Sequence, residues 1–304
     1  KIEEGDKVDL KFNKELRPKQ LPIVEAYINS VNDIDGGGGI ISVPCGYGKT
    51  VLALYILTQL KVKTLVVVHK EFLMSQWKER IEEFIPDARI GKIQGPVIKT
   101  ENKDIVLGML QSLSMSEYDD DVFKGFGFVI YDECHHLGAE VFSKALLKTN
   151  FKYLLGLSAT PKRMDGLTKV FEWYLGSIVY SIKKREEENV KVKVIKYYDD
   201  DTNYSRLLLN YNGKPNLPQM INNITSFKPR LDLLINQIIK CLEDKRKILV
   251  LSDRRDHLKN IKEELDKLEN YTNGYYLGGM KQKDLQETEK ADVILGTFSM
   301  ASEG

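Results

Sequence analysis

Cysteine is scarce. The 304 residues hold three, Cys45, Cys134 and Cys241, far apart and without the paired spacing of metal ligands. A disulfide scaffold is disfavoured, and reduced thiols in an intracellular protein are expected. No apolar run approaches the ~20 residues that a membrane helix needs. The charged opening Lys1-Ile2-Glu3-Glu4-Gly5-Asp6 has no apolar signal region. A soluble chain with no membrane partner is expected, and a start without Met reads as a trimmed one. Charge of either sign is also not in excess. With 45 Lys and Arg against 44 Asp and Glu the net is +1, so a polyanion must be held by a local groove and not by a globally basic body. No repeat of fixed period is present.

What is present is an alternation of short apolar runs and amphipathic stretches, over a length that suits two domains. The runs are Ile40-Ile41-Ser42-Val43, Thr64-Leu65-Val66-Val67-Val68, Asp104-Ile105-Val106-Leu107, Phe128-Val129-Ile130-Tyr131 and Tyr153-Leu154-Leu155-Gly156-Leu157. Helix-like segments, such as 71–84, lie between them, which predicts a parallel sheet covered on both faces over 11–181. The charge run Lys183-Lys184-Arg185-Glu186-Glu187-Glu188 reads as a solvated linker. After a polar stretch with Asp199-Asp200-Asp201 and 215–218, the pattern resumes. A helix is expected over 229–242, a strand over 248–251, a helix over 255–268 and a strand over 292–295. The expected domains are therefore 1–185 and a smaller 186–304. Gly36-Gly37-Gly38-Gly39 reads as a mobile loop, and Trp77 and Trp173, in helix-like surroundings, read as core.

The segment Val43-Pro44-Cys45-Gly46-Tyr47-Gly48-Lys49-Thr50 joins a strand end to the helix-like Thr50-Val51-Leu52-Ala53-Leu54. That arrangement is a phosphate cradle. Glycines let backbone amides converge on an anion and the helix N-terminus adds its dipole. Lys49 supplies a charge for terminal phosphates, and Thr50 offers a hydroxyl to Mg²⁺. Val43 stands where the usual pattern has its first glycine. Further on, Phe128-Val129-Ile130-Tyr131 ends in Asp132-Glu133-Cys134-His135-His136, two acids at the carboxyl end of a buried strand. Asp132 is placed to hold Mg²⁺ opposite Thr50, and Glu133 to orient and deprotonate a water. Zinc held by Cys134, His135 and His136 is disfavoured, because three adjacent residues do not converge on one tetrahedral centre.

These residues resemble the motifs of superfamily 2 helicases and translocases. Asp132-Glu133-Cys134-His135 matches the D-E-x-H motif II, and Pro44-Cys45-Gly46-Tyr47-Gly48-Lys49-Thr50 is similar to motif I. Ser158-Ala159-Thr160-Pro161 matches motif III, and Gly296 to Gly304 resembles motif V. Leu157-Ser158-Ala159-Thr160-Pro161-Lys162-Arg163-Met164-Asp165-Gly166 and the double histidine resemble the group of XPB, phage UvsW and the transcript-release helicases of large DNA viruses. Met164 stands where XPB has an acid.

The resemblance implies an α/β fold of two RecA-like lobes with parallel sheets, the second incomplete. It also implies ATP and Mg²⁺ as cofactors, Arg17 and Gln20 near the adenine, and Ser158 and Thr160 coupling nucleotide state to lobe movement. Lys70, Gln111, Ser112, Ser252, Arg254 and Thr297 would lie along a nucleic-acid strand, in contacts that ignore sequence and respond to salt. DNA is favoured over RNA by the group, with transcription or repair machinery as partners, in cytoplasm, nucleus, viral factory or virion. The expected activity is an ATP-dependent helicase or translocase. A nucleotide-gated remodelling ATPase that does not unwind and an RNA helicase are the alternatives. The family's motif VI, whose arginine contributes about 10³ to 10⁵ in rate in related enzymes, has no counterpart before Gly304, so this stretch is expected to bind nucleotide and hydrolyse it poorly.

Overall fold

The structure is a computed structural model that describes residues 4–32, 36–134, 139–159, 168–182 and 191–301. Its contacts divide the chain into Lys1–Asn189 and Val190–Gly304. The expected boundary at 185/186, within the charge run, lies outside the described residues.

The first unit contains strands β1 (Gly37–Ser42), β2 (Thr64–Val68), β3 (Ile90–Gln94), β4 (Val97–Lys99), β5 (Ile105–Met109), β6 (Phe128–Tyr131), β7 (Tyr153–Ser158) and β8 (Ile178–Ser181). They form one sheet in the order β4-β3-β5-β2-β6-β7-β1-β8. Every pairing is parallel except the β3–β4 hairpin. Its helices are α1 (Leu21–Asn32), α2 (Lys49–Leu60), α3 (Glu71–Phe84), α4 (Leu110–Met115), α5 (Ala139–Lys148) and α6 (Thr168–Leu175).

Strands β2, β5 and β6 are buried at every position, as parallel strands covered on both faces must be. The alternation of side chains sorts them into two cores. Val66 and Val68 pack with residues of α1, α2 and α3, whereas Leu65 and Val67 pack with residues of α4, α5 and α6. In α3 the buried set Leu73, Met74, Trp77, Ile81 and Phe84 recurs at helical spacing, so one stripe meets the sheet.

Two expectations are corrected. Gly37, Gly38 and Gly39 are not a mobile loop but the first half of β1, in register with Tyr153, Leu154 and Leu155. Glycine is needed there because a Cβ on Gly38 would lie 2.4 Å from the Leu175 carbonyl oxygen, and one on Gly39 would lie 2.5 Å from Val179 Cγ1. Trp173 is 79% exposed on α6 and is not a core residue. The residues ahead of the sheet are tied to this unit: the Asp6 N–H donates to the Gly125 carbonyl at 2.6 Å and the Val8 N–H to that of Lys61 at 3.0 Å.

The second unit has a three-stranded parallel sheet of β9 (Ile248–Leu251), β10 (Asn273–Tyr276) and β11 (Val293–Gly296), in the order β10-β11-β9. Its helices are α7 (Thr202–Ser205), α8 (Leu217–Ser226), α9 (Lys228–Glu243), α10 (Arg255–Leu265), α11 (Gln282–Thr288) and α12 (Phe298–Ala301). Leu231, Ile238 and Leu242 of α9 join Leu258, Ile261 and Leu265 of α10 over Val293 and Leu295. Helices α7 and α8 fall within the stretch read as merely polar. Each is capped by a side chain there: Asp201 accepts from the Asn203 N–H, and Asn216 from the Gln219 N–H.

Candidate active site

The cradle grows out of the carboxyl end of β1. Val43 still belongs to the sheet, its N–H donating to the Ser158 carbonyl at 3.0 Å, and its side chain is fully buried in the core beside α2. That burial accounts for a valine where the usual pattern has glycine. The chain then turns back on itself, with Gly46 at φ 84° and Gly48 at φ 80°, left-handed angles that favour glycine. Gly48 caps α2, its carbonyl accepting from the Leu52 N–H at 3.0 Å. The first amides of α2 have no acceptor within the helix, which gives the turn its affinity for anions.

Gln20 braces this turn from beneath. It is buried; its Nε2 donates to the Tyr47 carbonyl at 2.8 Å and its Oε1 accepts from the Arg17 N–H at 2.9 Å. A Cβ on Gly48 would come within 2.8 Å of that Nε2. Gln20 thus holds the cradle's shape, a task that the motif alone did not reveal. Arg17 lies exposed at the same place, and Lys19 Nζ sits 4.5 Å from the centre of the Tyr47 ring.

The acids follow β6. The Asp132 N–H continues the ladder to the Val67 carbonyl at 3.0 Å, and the residue is 7% exposed. Trp77 Nε1–H donates to Oδ2 at 2.7 Å and the Glu133 N–H to Oδ1 at 3.0 Å. Burial pushes the Asp132 carboxyl up to about 6, aided by the neighbouring Glu133 charge and opposed by Trp77 and Lys49. Glu133 has φ 46°, a left-handed angle that is unusual for a residue with a Cβ. Its Oε1 lies 2.8 Å from Lys49 Nζ, with both side chains largely buried.

That ion pair brings the first residue of α2 against the residue after Asp132. Thr50 and Asp132 flank the pair in sequence, at the carboxyl ends of β1 and β6, which are separated in the sheet by β7 alone and hence by roughly 10 Å. Ser158 ends that intervening strand, opposite Ser42 and buried. Thr50 and Asp132 offer hard oxygen donors of the kind Mg²⁺ prefers, and the glycine turn leads into a helix N-terminus suited to an anion, so these residues fit a metal-bound nucleotide. Cys134 belongs to the core, where burial holds its thiol protonated by raising its pKa to about 12. His135, His136, Thr160 and Pro161 lie outside the described residues, as do Lys162, Arg163, Met164 and Asp165.

Of the residues expected along a nucleic-acid strand, three follow the carboxyl ends of the neighbouring inner strands β2 and β5. Lys70 is the N-cap of α3. Gln111 Nε2 donates to the His69 carbonyl at 2.9 Å, and Ser112 Oγ accepts from the Gly95 N–H at 2.8 Å. The latter two brace the loops beside Lys70. In the second unit the Ser252 N–H donates to the Gly296 carbonyl at 3.1 Å, setting it beside Thr297 at the carboxyl ends of β9 and β11. The Ser252 hydroxyl turns inward. It accepts from the Arg254 N–H at 3.2 Å and is bonded to His257 Nδ1 at 3.1 Å, so it shapes the loop and does not face outward. Arg254 borders a polar cavity of about 500 Å³ with Arg255, Asp256, Gln219 and Asn222, between α8 and the start of α10.

A glycine turn feeding a helix N-terminus, with an acid pair ending a nearby parallel strand, defines a P-loop nucleotide-binding lobe. Residues 13–163, about half of the chain, match the family described as type III restriction enzyme, res subunit, and the chain is similar to proteins named as helicases and translocases. It is 36% identical over 302 residues to "Putative ATP-dependent RNA helicase L396" of Acanthamoeba polyphaga mimivirus, covering 97% of this chain and 57% of that protein. It is 35% identical over 190 residues to "DNA 3'-5' translocase XPB2" of Sulfurisphaera tokodaii, covering 62% of this chain and 40% of that one. The chain therefore spans about half the length of these relatives. In fold it is similar to the Sulfolobus solfataricus SWI2/SNF2 ATPase core domain, with TM-score 0.50, 15% identity and coverage of 98% of this chain and 78% of that one. Both units are accordingly described as RecA-like.

Proposed function

We propose that this chain binds ATP at the 44–50 turn and couples its hydrolysis to movement along nucleic acid. The observation that carries the reading is the 2.8 Å contact between Lys49 and Glu133, which unites the residue suited to terminal phosphates with the one suited to activating water. The turn's amides and Lys49 hold the phosphates. Thr50 and Asp132 would hold Mg²⁺, which when bound would supply charge neutralisation at the phosphates. Glu133 accepts a proton at its carboxylate from the attacking water. Arg17 and Gln20 are assigned to the adenine, with Gln20 also bracing the turn. Ser158, at the end of the strand between the two halves of the site, is placed to relay its state. Lys70, Arg254 and Thr297 meet the polymer's phosphates, with Gln111, Ser112 and Ser252 shaping their loops.

DNA is the first reading, supported by the likeness to a DNA translocase. RNA is the second, supported by the relative named an RNA helicase that matches over 97% of this chain. The test is the ATPase rate with no polymer, single-stranded DNA, duplex DNA and RNA, in wild type and in Lys49→Ala. Stimulation by one polymer, lost in the variant, is the expected result. Equal rates in all four conditions, or full activity in Lys49→Ala, overturns the reading. A forked substrate then separates unwinding from remodelling without unwinding.

A further inference from the structure

Trp77 is 1% exposed and packs in the core between α3 and the sheet. Core packing needs only its ring. Its single polar group nevertheless has a specific partner, the Asp132 Oδ2 at 2.7 Å. The other carboxylate oxygen takes the Glu133 N–H at 3.0 Å. A carboxylate has about four lone-pair directions; the two donors occupy one on each oxygen and pin the group's torsion. The remaining two directions are then held fixed relative to the start of α2, where Thr50 follows Lys49.

We propose that Trp77 is a positioning residue for Asp132, its indole N–H fixing the carboxylate in the orientation in which it holds Mg²⁺. The inference rests on the reading of Asp132 as a Mg²⁺-holding residue. Partners that orient a metal-holding carboxylate commonly contribute about 10-fold to 100-fold in metal affinity, and that is the effect assigned to Trp77.

The test is binding of a fluorescent ATP analogue as Mg²⁺ is titrated, in wild type, Trp77→Phe and Asp132→Asn. Trp77→Phe keeps an aromatic ring and removes the donor. Its Mg²⁺ requirement is expected to rise about 10-fold to 100-fold, with affinity for the metal-free nucleotide unchanged within about twofold. A wild-type Mg²⁺ requirement in Trp77→Phe alongside a raised one in Asp132→Asn overturns the positioning role alone. A wild-type requirement in Asp132→Asn overturns the metal reading and the inference with it. A second measurement does not depend on the folding of Trp77→Phe. The chain has two tryptophans, so ¹⁵N-indole spectra carry two signals, and exposed Trp173 is identified by Trp173→Phe. The Trp77 indole signal is expected to move when Mg²⁺ is added to the protein with a non-hydrolysed ATP analogue, and to hold still in Asp132→Asn. A Trp77 signal indifferent to Mg²⁺ in wild type overturns the proposal.

Discussion

Replacing Gly38 by alanine distinguishes two accounts of the glycine run by the sign of the result. In a mobile loop, alanine narrows the unfolded ensemble and stabilises by about 0.4–1 kcal/mol. In β1 the added Cβ lies 2.4 Å from the Leu175 carbonyl oxygen and 2.9 Å from that of Leu154. An ordinary C···O approach is roughly 3.3 Å, so the first contact is about 0.9 Å too close. Both obstacles are backbone atoms, which cannot rotate away. Overpacking of this kind costs about 1–3 kcal/mol, and for a unit of this size each kcal/mol lowers Tm by roughly 2–4 °C. The expected fall is thus between about 2 and 12 °C. Both tryptophans lie in the first unit, so thermal and urea unfolding followed by tryptophan fluorescence reports on that unit. Because β1 leads directly into the phosphate turn, nucleotide affinity is expected to fall as well. Unchanged or increased stability refutes the argument.

Two further outcomes follow from the same geometry. Asp104 is buried, which raises its pKa, but the side-chain and backbone hydrogen bonds from Arg89, at 2.6 to 3.0 Å, together hold it below the ordinary carboxylate value. A depressed pKa stabilises the fold above the unfolded value of about 3.9, and that stability is lost as pH falls through the folded value. Arg89→Ala should move the Asp104 titration upward and bring acid unfolding to higher pH, as read by carboxyl NMR and pH-dependent melting; an unmoved titration refutes the assignment. For the polymer contact, Lys70→Ala should weaken nucleic-acid binding for all sequences alike and reduce the log–log salt slope by about 1. A salt dependence equal to that of wild type in filter-binding or anisotropy titrations removes Lys70 from the track.

Much of the first unit was legible because its central strands are uniform apolar runs. The bounds 64–68, 71–84 and 128–131 agree with β2, α3 and β6, where propensity and burial point the same way. Strands β3 and β10 escaped because Gly91 and Gly274 interrupt their patterns, and β1 was shortened because four glycines suggest a loop to any local rule. There, packing against Val179 and Leu175 overrode propensity. Helical surroundings placed Trp77 in the core correctly and Trp173 wrongly, since a single aromatic does not say which face of its helix meets the sheet. The cradle and acid pair were readable as chemistry. The brace supplied by Gln20 and the donor supplied by Trp77 were not, because they join residues 27 and 55 positions apart.

Glu133 has a further consequence through its φ of 46°. A side chain held there costs roughly 1–2 kcal/mol that glycine would not, yet glycine has no carboxylate to place beside Lys49. Backbone strain and the contact with Lys49 thus pull on stability in opposite directions at one residue. A glycine there would relax the angle but strand Lys49 without its counter-charge, and with it would go the acid proposed to activate water.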